Sequence, residues 1–145
     1  MKKILVAVSG GFDPIHIGHV RLFEAAKKLG NELVVILNND HWLKKKKGYI
    51  VMEQADRKKI IEAFRAVDRV VLSKHRGNDM SIVRELKALR PQIFANGGDR
   101  KPGNLRTEEG RMCAAIGCRE IFNVGGKKIR SSSKLIEYAF NKKHR

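Results

Sequence analysis

Five short apolar runs, rich in β-branched residues, alternate along the chain with amphipathic stripes. That alternation limits the fold more than any other feature. The runs are Lys2–Ser9 (KKILVAVS), Glu32–Asn38 (ELVVILN), Asp68–Ser73 (DRVVLS), Pro91–Asn96 (PQIFAN) and Arg119–Val124 (REIFNV). Near-continuous hydrophobicity over such short lengths suits strands buried on both faces. Between the runs, Val20, Phe23, Ala26 and Leu29 form a helical stripe that stops at Gly30. Ile60, Ile61, Phe64 and Val67 form a second stripe, and Ile82, Val83, Leu86 and Leu89 a third that ends before Pro91. Further helices are expected over Thr107–Ile116, closed by Gly117, and over Ser131–Asn141, opened by a serine run suited to capping. This order predicts an α/β fold, a five-stranded parallel sheet with helices on both faces, in a single domain over residues 1–145.

Composition removes several classes of function. A chain of 145 residues is long enough to bury a core without disulfides or metal. No window of about 18 residues is apolar enough to span a bilayer. The start, MKKILVAVSGG, has a signal peptide's charge and apolar order but lacks a small-residue cleavage site, so it reads as a first strand. Cys113 and Cys118, five apart, should face different ways, as buried small hydrophobes of a cytoplasmic protein rather than a zinc or redox pair. The net charge of +16 calls for an anionic partner or substrate. Few aromatics and no helix-turn-helix, zinc-finger or RNP-type pattern argue against nucleic acid. Lysines spread over helix faces account for most of the charge, but the block Lys44–Lys47 stands apart.

Ligands of open parallel sheets sit at the carboxyl ends of the strands, where strand order reverses. Gly10–His19, Asn39–Tyr49, Asn96–Gly103 and Gly125–Ser133 all follow strand-like runs and should share that rim. In GGFDPIHIGH, Gly10 and Gly11 let backbone amides approach an anion. The helix that follows offers unpaired N–H groups and its positive dipole end to phosphate. His16 and His19, three apart, can face one ligand from a first helical turn.

With Gly10, Gly11, Phe12, Asp13, His16, Gly18 and His19 in place, the segment resembles the GxFDxxHxGH signature of the cytidylyltransferase-like nucleotidyltransferases. The string HIGH also occurs in class I aminoacyl-tRNA synthetases, which share the same nucleotide-binding core. The resemblance implies a Rossmann-like domain in which both histidines contact the phosphates of a nucleoside triphosphate. It extends to LKKKKGYIVMEQADRKKII, similar to a lysine–tyrosine loop and arginine-bearing helix of glycerol-3-phosphate cytidylyltransferases. There Lys44, Lys46, Lys47 and Arg57 would bind substrate phosphates. FANGGDRKP is similar to the GGD segment of heptose-phosphate adenylyltransferases, which would put Asn96, Gly98, Asp99 and Arg100 by the nucleotide. KIRSSSKLI is similar to a phosphate-holding I-S-S/T-S/T motif, carried here by Arg130, Ser131, Ser132 and Ser133. Asn96 stands where the heptose relatives carry lysine, Arg130 where isoleucine is usual, and the arginine-rich run of glycerol-phosphate enzymes is absent.

These readings imply a nucleotidyltransferase that moves CMP or AMP from CTP or ATP onto a small phosphorylated polyol or sugar, releasing pyrophosphate. His16, His19 and Lys47 are the expected catalytic residues. Mg²⁺ is expected as a phosphate-bridging ion, without a dedicated protein cage, and the resemblance admits a homodimer. A basic nucleic-acid-binding module and a catalytically idle nucleotide-binding relative are the alternatives.

Overall fold

A computed structural model describes residues 3–98 and 107–143 of the chain. The elements are β1 (Leu5–Gly10), α1 (Ile17–Lys27), β2 (Glu32–Leu37), α2 (Asp40–Lys47), α3 (Gln54–Glu62), β3 (Arg69–Leu72), α4 (Val83–Leu89), β4 (Ile93–Ala95), α5 (Thr107–Ile116), β5 (Arg119–Ile121) and α6 (Ser132–Lys143). The strands form one sheet in the order β3-β2-β1-β4-β5, and every pairing is parallel. This is the expected Rossmann-like α/β architecture. Strand order reverses at β1, whose neighbours β2 and β4 feed helices on opposite sides, and the sheet opens there toward ligands.

Strand alternation divides the core in two. Val6 and Val8 of β1, with Leu33, Val35 and Leu37 of β2, face Phe23, Ala26 and Ile61 from α1 and α3. Ala7, Val34 and Ile36 face the other way, onto Ile82 and Leu86 beside α4 and Cys113 of α5. β1 and β2 are therefore apolar on both faces, which is why their sequences show no polar alternation.

Two expectations need correction. The lysine block is not a loop: Asp40–Lys47 is helix α2, capped by the Asn39 side chain, which accepts from Trp42 N, and closed by Gly48 at φ 85°. Nor do the cysteines face apart. Gly117, at φ 71°, turns the chain back so that Cys118 N donates to Cys113 O at 2.8 Å, and both side chains enter the same core cluster. The thiol of Cys118, together with burial, pushes the Cys113 thiol up from its ordinary range.

Candidate active site

A cavity of about 320 Å³ opens over the end of β1, lined by the turn before α1, by α2, and by the segments that follow β4 and β5. Its centre is the histidine turn. His16 occupies the N-cap of α1 in extended backbone, and its Nδ1 accepts from Gly18 N at 3.1 Å. His19 closes the box in return, its Nδ1 accepting from His16 N at 3.1 Å. The histidines thus cap their own helix, a role usually taken by short polar side chains.

That capping fixes the tautomers. In a neutral imidazole one nitrogen donates and the other accepts. Both Nδ1 atoms accept backbone N–H bonds, so each Nε2 carries the proton. The rings stack with centroids 3.7 Å apart, and the Phe12 ring meets His19 edge-on at 4.9 Å. Burial, followed by the positive charges of Lys128, Arg130 and Lys47, holds His16 below its ordinary pKa. His16 is therefore a neutral donor at pH 7, not an imidazolium.

Gly10 and Gly11 line the cavity, and their bare backbone also serves the protein's own packing. A Cβ on Gly10 would meet Phe12 Cζ at 2.9 Å, and one on Gly11 would meet Leu43 Cδ2 at 2.8 Å and Trp42 Cζ3 at 3.1 Å. Their missing side chains make room for rings of the protein itself. Gly18 does the same for the His16 ring, 2.9 Å from where its Cβ would be. Phe12 adopts φ 50°, a left-handed conformation rare for a bulky residue and one that concentrates at functional sites.

Two expected site residues, Arg57 for substrate phosphate and Asp13 for nucleotide, are engaged by the scaffold. Arg57 is 1% exposed. Its guanidinium donates to Gly11 O and Asn38 O, each at 2.7 Å, to Met52 O at 2.8 Å, and to Asp40 Oδ1 at 2.8 Å. It ties the ends of β1 and β2 to α2 and does not line the cavity. Asp13, also 1% exposed, accepts from Val51 N at 2.7 Å and Met52 N at 2.6 Å, which pins the α2–α3 connection to the histidine turn. A motif match cannot tell a ligand-facing arginine from one that holds the scaffold.

Lys47 does line the cavity, and burial lowers its pKa, more than Asp13 opposes. Lys44 and Lys46 point to solvent from α2. Across β1, Gly98 approaches the β5 loop so closely that a Cβ would stand 2.4 Å from Gly126 O. Asn96 is buried beside it, and Asp99 and Arg100 lie outside the described residues. Arg130 and the three serines line the same side. Ser131 Oγ caps α6 by accepting from Lys134 N at 3.3 Å, and Ser132 Oγ donates to Pro14 O at 2.8 Å. Two hydroxyls are thus engaged structurally, leaving the Ser132 and Ser133 amides at the start of α6 to meet an anion. The N-termini of α1 and α6 converge on one cavity with Lys47, Lys127, Lys128 and Arg130.

No carboxylate appears among the described residues that line the cavity, and no three His, Cys, Asp or Glu side chains among the described residues cluster to hold a metal. Such a lining suits a polyanion. A Mg²⁺ ion fits it only as part of a metal–triphosphate substrate. Sequence reasoning missed Trp42, which also lines the cavity. The signal was present in Asn39 and Gly48, a helix start and stop around DHWLKKKK.

A family model described as cytidylyltransferase-like matches residues 7–137. The FAD synthase of Pyrococcus horikoshii is 41% identical over 99 residues, 68% of this chain and 65% of its own length. The chain thus matches somewhat under two thirds of that relative. The bifunctional protein HldE of Koribacter versatilis is 37% identical over 125 residues, 84% of this chain and 23% of HldE. Among solved structures, a lipopolysaccharide core biosynthesis protein from Thermoplasma volcanium superposes with a TM-score of 0.67 at 26% identity, covering 89% of this chain and all of that one. No helix among the described residues is long and apolar enough to cross a membrane.

Proposed function

The chain belongs to the cytidylyltransferase-like family, and from that premise we propose that it is a nucleotidyltransferase that adenylylates FMN. FAD is FMN joined to AMP through a pyrophosphate, so an enzyme forming it joins two phosphates. An oxygen of the acceptor's phosphate would attack the α-phosphorus of ATP in line. One P–O bond forms as the bond to pyrophosphate breaks. This chemistry asks for two polyanions held together and for donors aimed at the charge that develops.

The observation that carries the reading is the paired histidine cap, whose two Nε2–H donors sit at the N-terminus of α1 in a cavity lined by cations. In the proposed mechanism His16 and His19 donate to the transferring phosphoryl group. The α6 N-terminus and Arg130 hold the triphosphate, and Lys47 holds the acceptor's phosphate. The nucleoside lies on the β4–β5 side, where Gly98, Gly125 and Gly126 line the cavity.

A sugar or polyol phosphate acceptor is the second reading, supported by the match to HldE. The test is a panel: each NTP with Mg²⁺ and FMN, heptose phosphate, pentose phosphate or glycerol 3-phosphate, with pyrophosphate release measured. The proposal expects the ATP–FMN pair to dominate. Dominance of a sugar phosphate would replace FMN as acceptor, and release with no pair would remove the proposed activity.

A further inference from the structure

Nucleotidyl transfer as such has no need of a large aromatic ring in the cavity, yet Trp42 lines it. It is the sole tryptophan of the chain. The edge of its ring rests over the bare backbone of Gly11, where a Cβ would stand 3.1 Å from Cζ3. Beneath it Leu43 is fully buried. Trp42 N donates to the Asn39 cap at 3.0 Å, and Asn39 is clamped to the end of β3 by Ser73 Oγ at 2.9 Å and by the carbonyls of Ser73 and His75. Arg57 grips Asp40 on the same helix. The ring is thus mounted on a helix fixed at its start, the rigidity a recognition surface requires.

Its position separates it from the nucleotide. Helix α2 follows β2, whereas the glycines and the α6 N-terminus follow β4 and β5, and β1 lies between. Trp42 therefore shares its wing of the cavity with Lys47. The two lie five residues apart on one short helix and both line the cavity. Beyond Lys47 the chain exposes Tyr49 (36%) and Val51 (44%), and Val51 N is held by Asp13. Of these, Trp42 and Lys47 line the cavity, a ring and a cation on one helix.

We infer that Trp42 is a specificity-determining residue that packs against an aromatic ring system on the acceptor while Lys47 takes the acceptor's phosphate. The inference rests on the nucleotidyl-transfer reading and narrows the acceptor to a phosphomonoester that carries a fused aromatic ring. Within the protein the Trp42 ring meets only the tilted His75 ring, with centroids 6.3 Å apart, among the ring contacts of the described residues; a sugar phosphate would gain little from it, whereas stacked aromatic pairs add affinity beyond area burial.

The test uses the full chain with FMN as probe. Flavin fluorescence should be quenched saturably by the wild type, and less by Trp42→Phe. Trp42→Ala should raise the KM for FMN at least tenfold with kcat within about threefold, while Kd for ATP and the melting temperature stay near wild type. Trp42→Phe should recover most of the KM. An unchanged FMN KM in Trp42→Ala, or a loss of ATP affinity instead, would overturn the role of Trp42 and leave nucleotidyl transfer standing. Equal sensitivity of glycerol 3-phosphate and FMN to Trp42→Ala would likewise overturn it. Pyrophosphate release with no acceptor at all would instead remove the reading on which it rests.

Discussion

His16 and His19 each make one backbone hydrogen bond through Nδ1, and that pair of contacts decides which nitrogen can serve a substrate. Spacing in HIGH was enough to put both imidazoles on one turn, but not to choose the tautomer, because the choice depends on which backbone amides the rings cap. Long-range imidazole NMR should show Nε2–H forms for both. His16 should titrate below its ordinary 6.5, and a bound triphosphate should move it upward by offsetting the cationic surroundings. Because its folded pKa is depressed, the unfolded chain takes up protons first, so His16 lowers stability as pH falls below about 6.5. An Nδ1–H form, or titration above 6.5 in the free protein, would contradict the capping account. His16→Ala or His19→Ala should cut kcat by about 10²–10³, as expected for loss of a positioned donor. Arg57 and Lys47 separate scaffold from site. Arg57→Ala strands buried carbonyls and should cost about 3–5 kcal/mol, a fall in Tm on the order of 10 °C. Lys47→Ala should hold Tm nearly constant and raise the acceptor KM about tenfold, the scale of one charge-assisted hydrogen bond.

At the scale of elements, strands and long helices were legible because burial on both faces of the sheet leaves a continuous apolar signature. Helix α2 was not, since only Leu43 is buried along it and so short a segment gives no stripe. Its caps held the information instead. The cysteine pair was misread for a related reason: a helical offset was applied across Gly117, where the helix has already reversed. The serine run was correctly placed at a helix start, although its hydroxyls are spent partly on Pro14 and on capping α6. The junction between the β4 and β5 loops gives an element-scale prediction. Gly98→Ala would drive a Cβ into the Gly126 carbonyl, backbone against backbone. Thermal melts and ATP titrations should show both lower stability and weaker ATP binding, with FMN binding less affected. Wild-type ATP affinity in that variant would argue that the β4–β5 wing does not hold the nucleotide.

For the whole molecule, the topology brings the described parts of the four chemically loaded segments to one rim, so the site follows from strand order as much as from any motif. The charge of +16 fits this arrangement, since cations gather where two helix N-termini already favour anions. Raising ionic strength should therefore weaken binding of ATP, with the steepest loss as the Debye length falls below about 10 Å. A chain that instead bound duplex or single-stranded nucleic acid with saturable, salt-steep affinity and released no pyrophosphate would fit the basic-module alternative. Transfer of a nucleoside monophosphate between phosphates is followed most directly at the α-phosphorus. With ATP labelled at that atom, FMN and Mg²⁺, the label should appear in a dinucleotide that forms one-for-one with pyrophosphate, and His19→Ala should nearly abolish it. Label remaining in ATP, or emerging as ADP with release of orthophosphate, would contradict the account.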